Sequence, residues 1–190
     1  MWPWGHLAVG YIAFSAFVRV RLEAPLSDRA VVVLAVATQL PDLIDKPLAW
    51  QFGLLSNGIG VAHSLLVGVP LALTAGLVLW RKRRRQLGAA VAIGYGSHSF
   101  ADLLFGALFG KPPLLPAFLW PLYGTPPSTT PGIGLKIWEL LLDSRALLGG
   151  AMGRTYFLLV ALLLVATVAL WVADGTPGLG PVRRFGGRRR

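Results

Sequence analysis

Cysteine is absent from this 190-residue chain, and charge is scarce. Without thiols there is no disulfide framework and no thiolate metal site, so any metal must be held by histidine, carboxylate or backbone oxygen. Charged residues make up only 14% of the chain, against roughly 25% in a soluble globular domain. Acidic residues number eight and histidines three, while 55% of the chain is apolar. This balance excludes an ordinary water-solvated domain and predicts that lipid covers most of the surface. A secretory leader is also disfavoured: no basic stretch precedes the first apolar run, which opens Met1-Trp2-Pro3-Trp4-Gly5-His6, and no small-x-small cleavage site follows it. The first helix is therefore expected to stay in the mature protein.

What is abundant is positive charge, a net +10, and its distribution decides its meaning. Arg81-Lys82-Arg83-Arg84-Arg85 and the tail arginines Arg183, Arg184 and Arg188 to Arg190 each follow a long apolar run. That is the pattern of membrane anchors facing the cytoplasm. The clusters Arg81–Arg85 and Arg183–Arg190 are thus predicted to meet anionic lipid headgroups. No nucleic-acid partner is expected, because no aromatic or fold signature accompanies the charge.

Apolar runs predict an all-α, polytopic helical bundle with about five transmembrane spans, at roughly residues 5–20, 29–44, 61–80, 87–108 and 155–173. Residues 1–175 read as one membrane-embedded domain, with the candidate site built from 1–108, and 176–190 as a basic cytoplasmic tail. One side of this topology carries Arg19, Arg21, Arg29, the cluster 81–85 and the tail. The other has Lys46, Lys111, Lys136, Arg145 and Arg154. By the positive-inside rule the N-terminus faces out and the C-terminus faces the cytoplasm, in a multi-pass cell-membrane protein. Between spans four and five, Pro112-Pro113, Pro116, Pro121, Pro126-Pro127 and Pro131 forbid a continuous helix and predict an extracytoplasmic Pro-rich loop within 109–153. Ile133 to Leu148 sets Lys136, Glu139, Asp143 and Arg145 among leucines, the pattern of an amphipathic helix at the outer interface. Trp2, Trp4, Trp50, Trp120, Tyr123 and Trp138 fall near predicted outer ends, as an interfacial aromatic belt does.

On this topology the rare ionisable residues converge. His6 opens span one, Asp42 and Asp45 close span two, His63 opens span three, and His98 and Asp102 lie past the midpoint of span four, all toward the outer side. Intramembrane acids and histidines are costly and are functional candidates by default. His98 and Asp102 are four residues apart and share a helix face; Asp42 and Asp45, three apart, do so if the helix continues past Pro41. Imidazole mixed with carboxylate suits zinc, manganese or iron. All six are therefore candidate ligands, with Asp42 or Asp45 as the candidate water-orienting base. Asp45 also precedes Lys46 and is open to a plainer reading as half of a solvated pair. Ser97 and Ser99 are candidate hydrogen-bond supports. Ser64 and Ser99 each adjoin a histidine, but adjacent helix residues point roughly 100° apart, so neither is preformed as a nucleophile.

The quoted residues resemble a family. His6, Leu40-Pro41-Asp42 with a second acid after it, Ala62-His63-Ser64-Leu65-Leu66, and Gly94-Tyr95-Gly96-Ser97-His98 followed by Asp102 are similar to the YdjM-type, LexA-regulated membrane-bound metal-dependent hydrolases. That family is grouped with zinc-dependent phospholipase C and the related single-strand nucleases. The resemblance implies metal-assisted hydrolysis of a phosphoester such as a phospholipid, with His6, Asp42, His63, His98 and Asp102 as ligands. It departs at Asp42-Leu43-Ile44-Asp45, where the family commonly shows Pro-Asp-x-Asp, and this leaves the role of Asp45 open. Two other classes stay in view: a transporter or channel for protons or divalent ions, and a non-catalytic membrane scaffold. A transporter requires ionisable groups spread through the membrane depth, whereas here they sit in its outer half.

Overall fold

A computed structural model describes residues 1–55, 58–108, 115–123 and 132–180. The described residues form helices and no strands. Helix α1 spans Pro3–Phe17, with proline in its first turn where a missing N–H costs nothing. It runs on into a π-helix at Val18–Leu22 that ends on Glu23 in the left-handed region. Helix α2, Asp28–Trp50, contains both Pro41 and Pro47. It is longer than the expected 29–44 because neither proline stops it. The α1–α2 turn is clamped by Gln86, whose side chain accepts from Ser27 N at 2.8 Å and donates to the Pro25 carbonyl at 2.8 Å.

The third expected span is corrected more substantially. Residues 61–67 are not helical, and α3 begins only at Gly68, ending at Arg81. Helix α4, Arg85–Leu108, follows after a tight turn in which Arg83 takes a positive φ. A short α5, Leu115–Phe118, precedes α6, Ile133–Leu148, and α7, Ala151–Ala173. Much of the Pro-rich loop and the tail arginines lie outside the described residues.

Helix α4 is the centre of the bundle, packing against α1, α2 and α3, while α7 lies against α1 and α6. Gly94 permits the α2–α4 contact: a Cβ there would stand 2.9 Å from Ala37 Cβ and 3.1 Å from the Leu34 carbonyl oxygen. Tyr11, Phe14, Val18, Leu34, Ala89 and Ala90 form a packed apolar core between α1, α2 and α4. Beyond that core the surface is apolar too. Leu158 and Val165 on α7 are 60% and 68% exposed, a surface that suits lipid rather than water. Of the five expected spans, α7 alone among the described helices is long and apolar enough to cross a bilayer by itself. Helix α6 coincides with the expected amphipathic segment and buries no residue.

Candidate metal centre

Asp42 and Asp45 come from the last third of α2, His63 from the loop before α3, and His98 and Asp102 from successive turns of α4. His63 and His98 are fully buried, and their Nε2 atoms face each other at 3.0 Å. The outer nitrogen of each ring is held. His98 Nδ1 donates to the Thr38 carbonyl at 2.7 Å, and His63 Nδ1 donates to Asp45 Oδ2 at 2.8 Å. A carbonyl oxygen only accepts, so the His98 proton sits on Nδ1 and the neutral ring presents a bare lone pair at Nε2. His63, donating to a carboxylate, does the same. Two such lone pairs at 3.0 Å repel unless a proton or cation lies between them.

Carboxylates complete the enclosure. Asp42 Oδ1 is 3.5 Å from His63 Nε2 and 3.7 Å from His98 Nε2, and Asp102 Oδ2 is 3.7 Å and 3.5 Å from the same two atoms. Each of the four residues offers one donor atom, and the four atoms lie within 4.8 Å of one another. Donors bound at ~2.0–2.1 Å around a tetrahedral ion stand roughly 3.3 Å apart. The 3.0 Å nitrogen–nitrogen and 3.5–3.7 Å nitrogen–oxygen separations lie near that edge length, and the two-nitrogen, two-oxygen set suits a borderline divalent metal. Asp42, His63, His98 and Asp102 can therefore hold a metal ion.

A profile described as the YdjM inner membrane protein matches residues 1–176. The chain belongs to the YdjM inner membrane protein family. No curated protein and no solved structure matches it.

The other two expected ligands of this YdjM family member border the group of four, His6 on one side and Asp45 on another. His6 stacks on His98 with ring centroids 3.9 Å apart, and its Nε2 is 3.3 Å from Asp102 Oδ1 without hydrogen-bond geometry. Both its ring nitrogens are buried without a hydrogen bond among the described residues. Asp102 Oδ1 also accepts from the Met1 amino group at 2.6 Å. Asp45, expected as a ligand or base, is fully buried behind His63. Its carboxylate accepts from Gly60 N at 2.8 Å, Ala62 N at 3.0 Å, His63 N at 2.9 Å and the His63 ring. That leaves it turned away from the four-atom centre, orienting one ligand and folding the loop that carries it. Lys46 pairs with Asp42, four residues earlier, and not with Asp45 as the adjacent pair suggested. Its ammonium also lies 5.5 Å over the Trp50 ring.

The serines take structural parts. Ser64 Oγ donates to the Trp120 carbonyl at 2.5 Å and accepts from Leu66 N and Val67 N, so it is not a free nucleophile. Ser97 donates to the Gly94 carbonyl of its own helix, not to the site, whereas Ser99 Oγ is buried without a hydrogen bond among the described residues. Two supports escaped sequence reasoning. Tyr95 donates to the Ala62 carbonyl at 2.5 Å and ties the His63 loop to α4; its three-residue spacing from His98 was the available signal. Thr38 acts through its carbonyl, which side-chain identity does not reveal.

A second polar cluster lies at the other end of α1. Asp174, just past α7, accepts from Tyr11 and Ser15 at 2.8 Å each and from Arg19 Nε at 2.9 Å. Burial pushes its carboxyl pKa up, but the bonds from Arg19, Ser15 and Tyr11 outweigh this and hold it below the usual carboxylate value.

Proposed function

We propose that this YdjM-family protein is a multi-pass membrane-embedded, metal-dependent hydrolase of phosphoesters, with a phospholipid phosphodiester in the outer leaflet as its substrate class. The observation that carries this reading is the pair of buried imidazole Nε2 atoms aimed at one point and flanked by two carboxylates. Zinc is the proposed ion, held by Asp42, His63, His98 and Asp102. When bound, such an ion supplies Lewis-acid polarisation of a phosphoryl oxygen and a water of lowered pKa.

The chain's own residues do the rest. Thr38 and Asp45 keep the two rings in the tautomer that offers Nε2. Asp42 and Asp102, each 8% exposed, form the accessible side of an otherwise buried set. Asp42 is thereby the better candidate to orient water than the enclosed Asp45. Lys46, with a 27% exposed side chain beside Asp42, is suited to attract an anionic phosphoryl group to that side. The proposed orientation, N-terminus out, follows from the basic residues, the five passes follow from the apolar runs, and the apolar exposed faces of α3 and α7 support contact with lipid. Against conduction stands the confinement of the buried histidines and their carboxylates to one group, Asp42, His63, His98 and Asp102, where a conducting path needs ionisable groups spread through the membrane depth.

The test is metal analysis of purified wild type beside His98→Ala and Asp102→Ala, with hydrolysis of phospholipid and bis-nitrophenyl phosphate measured on the same samples. Stoichiometric metal and hydrolysis in wild type, both lost in the variants, is the expected result. Folded wild type that binds no divalent metal, or binds it and hydrolyses neither substrate, overturns the reading.

A further inference from the structure

On the bilayer side opposite the metal centre, α3, α4 and the end of α1 enclose an open apolar groove of about 310 Å³. Its walls include Leu73, Leu77 and Trp80 from α3, Ala92 and Ile93 from α4, and Phe17 from α1. Leu73 and Leu77 are each 50% exposed, so the groove opens outward and is not a sealed core void. The floor exists because α3 and α4 meet backbone to backbone: a Cβ on Gly88 would stand 2.4 Å from the Gly76 carbonyl oxygen. From Trp80 to Leu73 the groove follows two turns of helix, about 10 Å, from the interface toward the bilayer interior.

One end of the groove is chemically different from the other. Trp80, its outermost wall residue, is covered by the Arg85 guanidinium at 5.8 Å from the ring centroid. The turn beyond carries Arg81, Lys82, Arg83, Arg84 and Arg85, all exposed. An apolar trough one acyl chain wide, leading away from five cations, matches the two halves of an anionic phospholipid. A second copy of the chain would bring its own cluster against this one and repel it. We propose that this groove is a binding site for one anionic phospholipid of the basic-side leaflet, its acyl chain along Leu73, Leu77 and Ala92 and its phosphate on the 81–85 turn. The site is separate from the metal centre and rests on the membrane-embedded arrangement proposed above, but not on hydrolysis.

Native mass spectrometry of the full chain tests this, with phosphatidylglycerol or phosphatidylcholine added to delipidated protein in detergent. Wild type is expected to keep one phosphatidylglycerol per chain in preference to phosphatidylcholine. Leu77→Trp, which fills the trough from an exposed position, should lose retention of both lipids, whereas Leu158→Trp on α7 should lose neither. Arg81→Gln with Arg85→Gln should lower phosphatidylglycerol retention roughly thirtyfold, at about 1 kcal/mol per basic residue, and leave phosphatidylcholine unchanged. Metal content measured in the same samples stays at the wild-type value. Equal retention of the two lipids, an unaltered Leu77→Trp or arginine variant, or a dimer dissolved by Leu77→Trp would each overturn the proposal. Recovery of the protein in the carbonate-soluble fraction of lysed cells would instead mark failure of the membrane arrangement itself.

Discussion

Replacing Asp45 with asparagine separates a residue that holds the metal centre together from one that binds the ion. The carboxylate is fully buried and accepts from three backbone amides and the His63 ring. Hydrogen bonds to an ionised group contribute about 1.5–3 kcal/mol each, and a buried donor left unpaired costs a similar amount. Asparagine keeps the shape and one accepting oxygen, but turns an NH2 toward donors. Asp45→Asn is therefore expected to destabilise the metal-free protein by about 3 kcal/mol and to weaken metal binding 10–100-fold, as losses of ligand-orienting groups do. Asp42→Asn and Asp102→Asn should abolish metal binding while the stripped protein keeps its fold. The assay pairs thermal unfolding of chelator-stripped protein in detergent with metal competition against a chelator of known affinity. If Asp45→Asn unfolds like wild type yet holds no metal at all, Asp45 is a ligand and the geometric reasoning fails.

Other expectations follow from the same contacts. Gly68→Ala sets a Cβ 2.1 Å from the Ala62 carbonyl oxygen, so it should displace the His63 loop and lower metal occupancy; Tyr95→Phe, which unpairs that carbonyl, should cost about 1–2 kcal/mol and weaken metal retention in the same direction. Asp174 is held below the usual carboxylate value of about 3.9, so its contribution is complete above that pH and is lost as pH falls through the lowered value. Asp174→Asn should accordingly lower the melting temperature at pH 7 and flatten its decline on acidification; an acid profile identical to wild type refutes the assignment. Because the chain has no cysteine, single cysteines report topology cleanly. Lys136→Cys should react with an impermeant maleimide in spheroplasts, and Arg83→Cys only after they are permeabilised, whereas the reverse pattern inverts the proposed orientation.

The helical architecture was legible because hydrophobic runs and their periodicity survive in the sequence: Ile133–Leu148 and the last helix stand where the pattern put them, within a few residues. His98 and Asp102 were legible as partners because a four-residue spacing fixes their relative direction on any helix. The loop at 61–67 was not. Its residues are as apolar as a span, but the amides of Gly60, Ala62 and His63 turn to the buried Asp45 carboxylate, and the first regular helical turn comes only at Gly68. Pairing across the chain leaves no mark on local hydropathy, and so the sequence left Asp45 open between ligand, base and surface charge, whereas the fold turns its carboxylate to the His63 ring and the loop amides. Lys46 misled for a simpler reason: sequence adjacency favoured Asp45, whereas helix geometry joins it to Asp42.

The short reach of two of these pairings bears on how the chain enters a membrane as it is synthesised. Asp42 has its cation only four residues ahead, and Asp45 has its ring and amides within eighteen. Both acids can thus be neutralised or enclosed before α4 has left the ribosome. The centre itself closes only when His98 and Asp102 arrive, so the costly groups of α2 travel with their own escorts until α4 supplies the remaining ligands.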